Sequence, residues 1–401
     1  MHSVSGVSSS AIDASADVIV VGLGAVGSAT AYQLACRGAK VIGIDRYAPP
    51  HTMGSSHGAT RITRLAIGEG TEYVPLVRRS HAIWRELEGE CGEPLYRATG
   101  GLVFGPARSD ALHHGKRDFV RRTIDAALAH GIAHAVLDAA EIGARFPAFV
   151  LAGDEIGYWE PEAGAVFPEA CVRAQLDGAR RRGATLRVDE EVLAIDAAPG
   201  GARVRTARAT YAAASIVVAA GPWLARLVGG VYAEHLRVLR QVLLWFETST
   251  PSLYAPGSFP VFIRAAADGE EHLYGFPMVD DVPGVKVASE QETTTTDPDA
   301  VDRTVSAREA EATYRGNVAL RLRGIGPRVV RAATCLYTTS PDSGFVFDRH
   351  PEHDAIWIVS ACSGHAFKHS AGLGEAIAER VLGRPGFDLS VFASRRFDAA
   401  A

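Results

Sequence analysis

The 401-residue chain has little that would tie it to a membrane, a nucleic acid or an oxidising compartment. No run approaches the roughly 18 apolar residues needed to span a bilayer. The opening MHSVSGVSSSAIDASAD is polar and lacks the basic-then-apolar profile of a secretion signal, so it reads as a frayed leader on a cytoplasmic protein. Acidic residues outnumber basic ones only slightly, 46 against 41, and the two signs are mixed along the chain. That leaves no broad electrostatic footprint for nucleic acid or an anionic membrane and favours a small-molecule partner. Cys36, Cys91, Cys171, Cys335 and Cys362 are odd in number and scattered, with neither a C-x-x-C pair nor a zinc-ligand spacing. They are expected to be free thiols unless one has a special task. Internal repeats and low-complexity linkers are missing as well. What remains is an ordinary globular composition, 47% hydrophobic and 22% charged, in a chain longer than one hydrophobic core usually serves. Two lobes are expected.

The segment ADVIVVGLGAVGSATAYQLACRGAKVIGIDRY reads as buried strand, glycine turn, helix and second strand, a βαβ unit. SHAIWRELEGE and ACVRAQLDGARRRGA follow as helices; TLRVDEEVLAIDA, GARVRTA and ASIVVAAG follow as strands. From about Tyr232 to Val330 the texture changes to strand-like pieces broken by Pro, Gly and acidic turns, which predicts an antiparallel-rich second lobe. A helix capped near Asp299 or Thr304 comes next. AIWIVSACSGHAFKHSAGLGEAIAERVLG then returns to strand, tight turn and helix, so the C-terminus is expected to complete the first lobe.

Gly22, Gly24 and Gly27 form G-x-G-x-x-G between that first strand and its helix. The first glycine permits the tight turn, the second lets backbone approach a pyrophosphate, and the third packs helix on strand. The helix N-terminus offers amides and a partial positive charge to a phosphate. Asp45 ends the second strand about 20 residues on, where a carboxylate can accept from an adenosine ribose. Such a turn also arises for folding reasons alone, and it does not separate NAD from FAD.

Three blocks go further: PPHTMGSSHGATRITRLAIGEGTEYVPL after the fingerprint, then TCLYTTSPDSGFVFDRHPEH and CSGHAFKHSAGLGE near the end. Together they resemble the monomeric sarcosine oxidase family, which includes N-methyltryptophan and pipecolate oxidases, from about Asp17 to about Phe392. The resemblance implies an α/β (α+β overall) flavoprotein: a Rossmann-like FAD-binding domain of glutathione-reductase type, interleaved with a mixed-sheet substrate domain. The expected division is 1–95, 160–230 and 325–401 for FAD, with 96–159 and 231–324 for the substrate. The implied reaction dehydrogenates the C–N bond of a secondary amino acid and passes electrons to O2 as hydrogen peroxide. We expect a monomer.

The resemblance also implies roles residue by residue. Cys335 matches the cysteine bonded to the flavin 8α carbon; a thiolate nucleophile suits that task, although free cysteines are usually small buried residues. Arg64 and Lys368 match a pair that binds the substrate carboxylate, an anion that would relieve two cations sharing one cleft. Lys368 is also expected against the cofactor. Arg61 and His57 match residues placed against the flavin ring, and Lys286 in GVKV matches the lysine that serves O2 activation, where a fixed cation favours superoxide formation. Tyr274 and Tyr337 match aromatic residues of the cavity, although tyrosines at such places are often plain core. His365, three residues from Lys368, is expected on the same helix face with a catalytic role. Ala25 and Val26 in the glycine turn, Arg46 beside Asp45, Ser55 and Thr60 near His57, and Val192 and Gly364 complete the expected cofactor set.

Three departures stand out. Sarcosine oxidases place a histidine shortly after the lysine of this strand, where this chain has Glu290; His369 follows Lys368, and Cys362 opens a block where an aromatic is commoner. They place a bulkier N-methyl or cyclic amino acid on a par with sarcosine. The competing readings are a flavin dehydrogenase that feeds a quinone or protein, a biosynthetic oxidase of a cyclic imino acid, an NAD-linked dehydrogenase, and a non-catalytic nucleotide-binding protein. The last has no use for Cys335, Arg64 and Lys368 together.

Overall fold

The structure, a computed structural model, describes residues 12–397. Most of the leader lies outside that range, but its last residues do not fray. The strand Ala14–Val21 begins within it, and the Asp13 amide donates to the Thr210 carbonyl at 2.9 Å.

Ala14–Val21 lies in the middle of an eight-stranded sheet, paired in parallel with Val41–Ile44 on one side and Thr210–Val218 on the other. Thr185–Arg187 and His353–Ser360 extend the parallel part, and Val192–Ala198, Gly201–Thr206 and Val346–His350 add antiparallel strands. The run VIVV is buried along its whole length, which a sheet covered on both faces requires. Helices Ala25–Cys36, Pro168–Arg181 and Ser370–Val381 cover one face. The first and last approach so closely that a Cβ on Gly374 would lie 2.4 Å from that of Ala29. Residues 353–381 thus close the first lobe from the far end of the sequence.

The second eight-stranded sheet runs in the order Ile325–Thr339, Arg237–Thr248, Val285–Ser289, Leu273–Gly275, Val261–Arg264, Gly101–Pro106, Glu155–Glu160, Ala135–Asp138. Every pairing is antiparallel except that of Val261–Arg264 with Gly101–Pro106. Its inner face packs an aromatic core that includes Phe104, Phe149, Phe246, Phe259 and Phe262. A three-stranded sheet, Arg61–Thr63, Gly164–Val166 and Tyr96–Ala98, lies apart from both.

Two expectations need correcting. The boundary at 325 is displaced: Ile325–Thr339 is a long strand of the second sheet, hydrogen-bonded along Arg237–Thr248, and sheet membership changes only after Thr339. The helix expected to start near Asp299 or Thr304 is Ala307–Thr313, capped by Ser306 in a reciprocal pair with Glu309. Asp299 is drawn elsewhere, onto Arg46, Trp223 and Arg226. Among the described residues no helix is long and apolar enough to cross a membrane.

Candidate active site

The glycine turn forms one end of a cleft of about 350 Å³. Gly22 holds φ +87°, and a Cβ there would lie 2.5 Å from the Ala219 carbonyl; one on Gly27 would lie 1.8 Å from the Gly22 carbonyl. Gly22, Gly24, Ala25 and Val26 line the floor, with the helix N-terminus directed at it. Asp45, Arg46, Tyr47, Val192 and Trp223 line this end, and Ser55, Arg61, Tyr337 and Gly364 the other. The Asp45 carboxylate is itself held, accepting from the Leu23 amide at 2.7 Å and the Tyr47 amide at 2.9 Å. An elongated cleft with bare glycine backbone beside a helix N-terminus and a rigid carboxylate fits an adenine dinucleotide.

Gly27, His57 and Thr60 stand behind this wall. Gly27 packs the helix on its strand, and Thr60 turns its carbonyl and hydroxyl away, toward Lys286. Lys368 lines the second cavity and not the cleft. Cys335 is buried on the edge strand Ile325–Thr339, its Sγ 3.3 Å from Arg61 Nη2 and 3.6 Å from the Ser55 carbonyl.

A smaller cavity of about 60 Å³ shares Arg61, Tyr337, Gly364 and Phe367 with the cleft. Arg64, Tyr274, His365 and Lys368 line it, so Arg64 and Lys368, expected at the substrate, and Tyr274 and His365, expected in catalysis, share one cavity. Arg64 is 2% exposed and Lys368 5%. The two cations are not left facing each other. Glu69 stands between them, its Oε2 2.7 Å from Arg64 Nη2 and its Oε1 3.1 Å from Lys368 Nζ. Burial alone would raise the Glu69 pKa, but Arg64 and then Lys368 hold it well below the usual carboxylate range. Burial lowers Lys368 to about 8.

His365 is not on a helix face with Lys368, as the three-residue spacing predicted. It precedes the 3-10 turn Phe367–His369, and Lys368 Nζ donates to its carbonyl at 2.8 Å. Its Nε2 lies 2.9 Å from the Ser343 carbonyl and its ring stacks on Phe345. Burial, then the neighbouring Lys368, lowers its pKa well below the ordinary value, so it is neutral.

Lys286 projects from the strand Val285–Ser289 to the turn after the glycine-rich block. Its Nζ donates to the Gly58 carbonyl (2.6 Å), the Thr60 carbonyl (2.8 Å) and Thr60 Oγ1 (3.1 Å), beneath Phe276 and Trp245. Burial, reinforced by Arg61, pushes its pKa well down. Arg61 donates to the Thr60 and Ser55 carbonyls at 2.8 and 2.9 Å. Glu169 anchors the same turn by accepting from the Gly58 and Ala59 amides, at 2.7 and 3.1 Å.

The sequence reading missed Glu69, His113, His114 and the buried role of Glu290. Glu69 had a local signal, a lone acid between two glycines five residues after Arg64. His113 and His114 had one too, since H-H-G-K contains the glycine of a tight turn. Their burial against residues far along the chain had none. Glu290 Oε2 lies 3.2 Å from His114 Nε2 and 3.7 Å from His113 Nε2. Although burial opposes it, Glu290 and Glu69 push His114 up to about 9.

The two sheets, the glycine-floored cleft and the cavity that shares its wall fit a dinucleotide-dependent oxidoreductase. Comparison with known proteins agrees: the family model of FAD dependent oxidoreductases matches residues 17–380, and the chain belongs to that family. It is 36% identical over 383 residues to monomeric sarcosine oxidase of Bacillus sp. (strain B-0618), covering 95% of this chain and 96% of that protein. It is 33% identical over 385 residues to N-methyl-L-tryptophan oxidase of Yersinia pestis (strain Pestoides F), covering 95% and 99%. Among solved structures, NikD, an amino acid oxidase essential for nikkomycin biosynthesis, superposes with a TM-score of 0.80 at 26% identity over 94% of this chain and 97% of that one.

Proposed function

We propose that this protein is an FAD-dependent amine oxidase that converts a secondary amino acid, N-methyl or cyclic, to its imine and reduces O2 to hydrogen peroxide. The observation that carries the reading is the convergence of buried Arg64 and Lys368 on one anion position, in a cavity that shares a wall with the cofactor cleft. When bound, FAD supplies the two-electron acceptor. The chain supplies position and charge. Arg64 and Lys368, whose two charges Glu69 alone does not balance, hold the substrate carboxylate, which fixes where the C–N bond lies. Tyr274 and Tyr337 flank that bond, and neutral His365 braces the Lys368 side of the cavity. Arg61, locked by two carbonyls, holds positive charge at the far end of the cleft.

Lys286, held by three oxygens, is the group that assists O2. Cys335, buried beside Arg61, carries a covalent link to the cofactor. The names of the relatives agree with amine oxidation and, for the sarcosine oxidases, with a monomer. The enzyme works as a cytoplasmic monomer. A panel of N-methyl and cyclic amino acids, assayed for peroxide in air and for flavin bleaching without air, tests the reading. Bleaching by at least one of them with peroxide release is expected. Failure of all to bleach the flavin would overturn it, and bleaching without peroxide in air would make the protein a dehydrogenase.

A further inference from the structure

We propose that His113, His114 and Glu290 bind a divalent transition-metal ion of the zinc type in the wall of the smaller cavity, leaving one coordination position open toward the substrate. The inference is independent of which amine is oxidised.

The two histidines are placed by a tight turn. His113 and Lys116 exchange both backbone hydrogen bonds, at 2.9 and 3.0 Å, and the two residues between them are left-handed: His114 at φ +47° and Gly115 at φ +72°. A left-handed histidine is costly backbone, kept where the surroundings over-determine it. Here it turns two consecutive imidazoles inward, to 2% and 7% exposure. Glu290 reaches the same point from the end of the strand Val285–Ser289. Three ligand atoms, one from each residue, lie within 4.8 Å of one another. The two His Nε2 atoms stand 3.7 and 3.2 Å from Glu290 Oε2. Four ligands at about 2.0–2.1 Å from a tetrahedral ion would be about 3.3–3.4 Å apart, so these separations need only small adjustments.

The hydrogen bonding points the same way. His113 Nδ1, both ring nitrogens of His114 and Glu290 Oε2 are buried and make no well-aligned hydrogen bond. Buried polar atoms in a native fold are normally satisfied, and of these atoms His114 Nε2 and Glu290 Oε2, 3.2 Å apart, point to where the ion would sit. The supporting shell is also in place. His114 Nδ1 faces Glu69 Oε1 at 3.6 Å, the carboxylate–imidazole–metal relation that orients a ligating histidine. His113 is fixed by stacking on Phe119, ring centroids 4.1 Å apart at 6°. Glu290 Oε1 faces the Tyr337 hydroxyl at 3.5 Å. His272, although adjacent, is committed: its Nδ1 accepts from the Ala266 amide at 3.0 Å and its Nε2 lies 2.7 Å from the Leu112 carbonyl. The protein thus offers two imidazoles and one carboxylate, a set typical of zinc sites with an open position. It contains no thiolate and too few oxygens for calcium or magnesium. All three residues line the cavity, so the open position faces a substrate atom with a lone pair.

The test uses the flavin-loaded full chain. After dialysis against a chelator, the protein is titrated with Zn²⁺ or Co²⁺, passed through a desalting column and analysed for metal. A stoichiometric ion is expected, lost almost completely in His113→Ala and in Glu290→Gln, and retained in His350→Ala, which removes a surface histidine. Absence of retained metal in the wild type overturns the proposal, as does equal retention in the His113→Ala, Glu290→Gln double variant. Should those variants lose their flavin, X-ray absorption on the zinc-loaded wild type decides: two imidazole ligands support the site, and none or one refutes it. Because metal content is read without turnover, an inactive enzyme would count against the amine oxidase reading and leave this outcome unaffected.

Discussion

The cofactor cleft and the smaller cavity meet at Arg61, Tyr337, Gly364 and Phe367, yet they are built from opposite materials. The cleft near the glycine turn is largely backbone, small residues and a helix end from the N-terminal βαβ stretch, with Val192 and Ala219–Trp223 added from later in the chain. The cavity is a group of buried charges, Arg64, Glu69, Glu290 and Lys368, with His113, His114 and His365 among them. Local backbone geometry makes the first. Mutual neutralisation makes the second, because a buried charge without a partner costs several kcal/mol. The cleft therefore tolerates no added atoms, while the cavity tolerates no lost charge.

The largest effect that would break this comparison is at Gly27. A Cβ 1.8 Å from the Gly22 carbonyl cannot be accommodated by a side-chain shift, so Gly27→Ala should yield protein without flavin, read as loss of the visible absorption of the purified sample. Near-normal flavin content would show the turn to be less constrained than its geometry indicates. Lys286→Met should leave anaerobic flavin reduction largely intact and slow reoxidation by about 10²–10³-fold, as removal of a preorganised hydrogen-bond donor does elsewhere. Equal losses in the two half-reactions, measured by stopped flow, would remove Lys286 from O2 chemistry. Lys368→Met should lower kcat/KM by about 10–100-fold, the value of a charge-assisted hydrogen bond, with kcat reduced less.

The pH dependence sharpens the same point. Only the ammonium form of Lys368 attracts a carboxylate, and its pKa is lowered to about 8. The wild-type kcat/KM should therefore fall as pH rises through about 8, because that ratio reports the free enzyme. The Lys368→Met profile should lack the fall near 8; a wild-type profile unchanged from pH 7 to about 9.5 would contradict the assignment. The smallest effect concerns Cys335. Cys335→Ser should fold with similar flavin absorption but release its flavin to the supernatant on acid denaturation, whereas the wild-type precipitate stays yellow. Release from the wild type would remove the covalent link.

Much of this was legible in sequence because it is local. VIVV, the glycines and the helix after them are consecutive, and their hydrophobic period and turn chemistry name a βαβ unit without reference to the rest of the chain. The blocks around Arg61 and Arg64, Cys335 and Lys368 were recognisable as runs. Other expectations failed where local reading met tertiary pairing. Residues 325–339 lie in the second sheet because they pair with Arg237–Thr248, about 90 residues earlier. Ser306, and not Asp299 or Thr304, caps the following helix because Asp299 is drawn to Arg46, Trp223 and Arg226.

By itself, then, the sequence determined a strand–glycine turn–helix unit suited to a dinucleotide and set two cations, Arg64 and Lys368, apart in recognisable short runs. Only the tertiary structure decided that Glu69 stands between those cations and that Glu290 meets His113 and His114 across more than 170 residues of chain. No local pattern encodes such pairings. They exist because charges removed from water must find each other, and which ones meet depends on how the sheets bring distant strands and turns into one cavity.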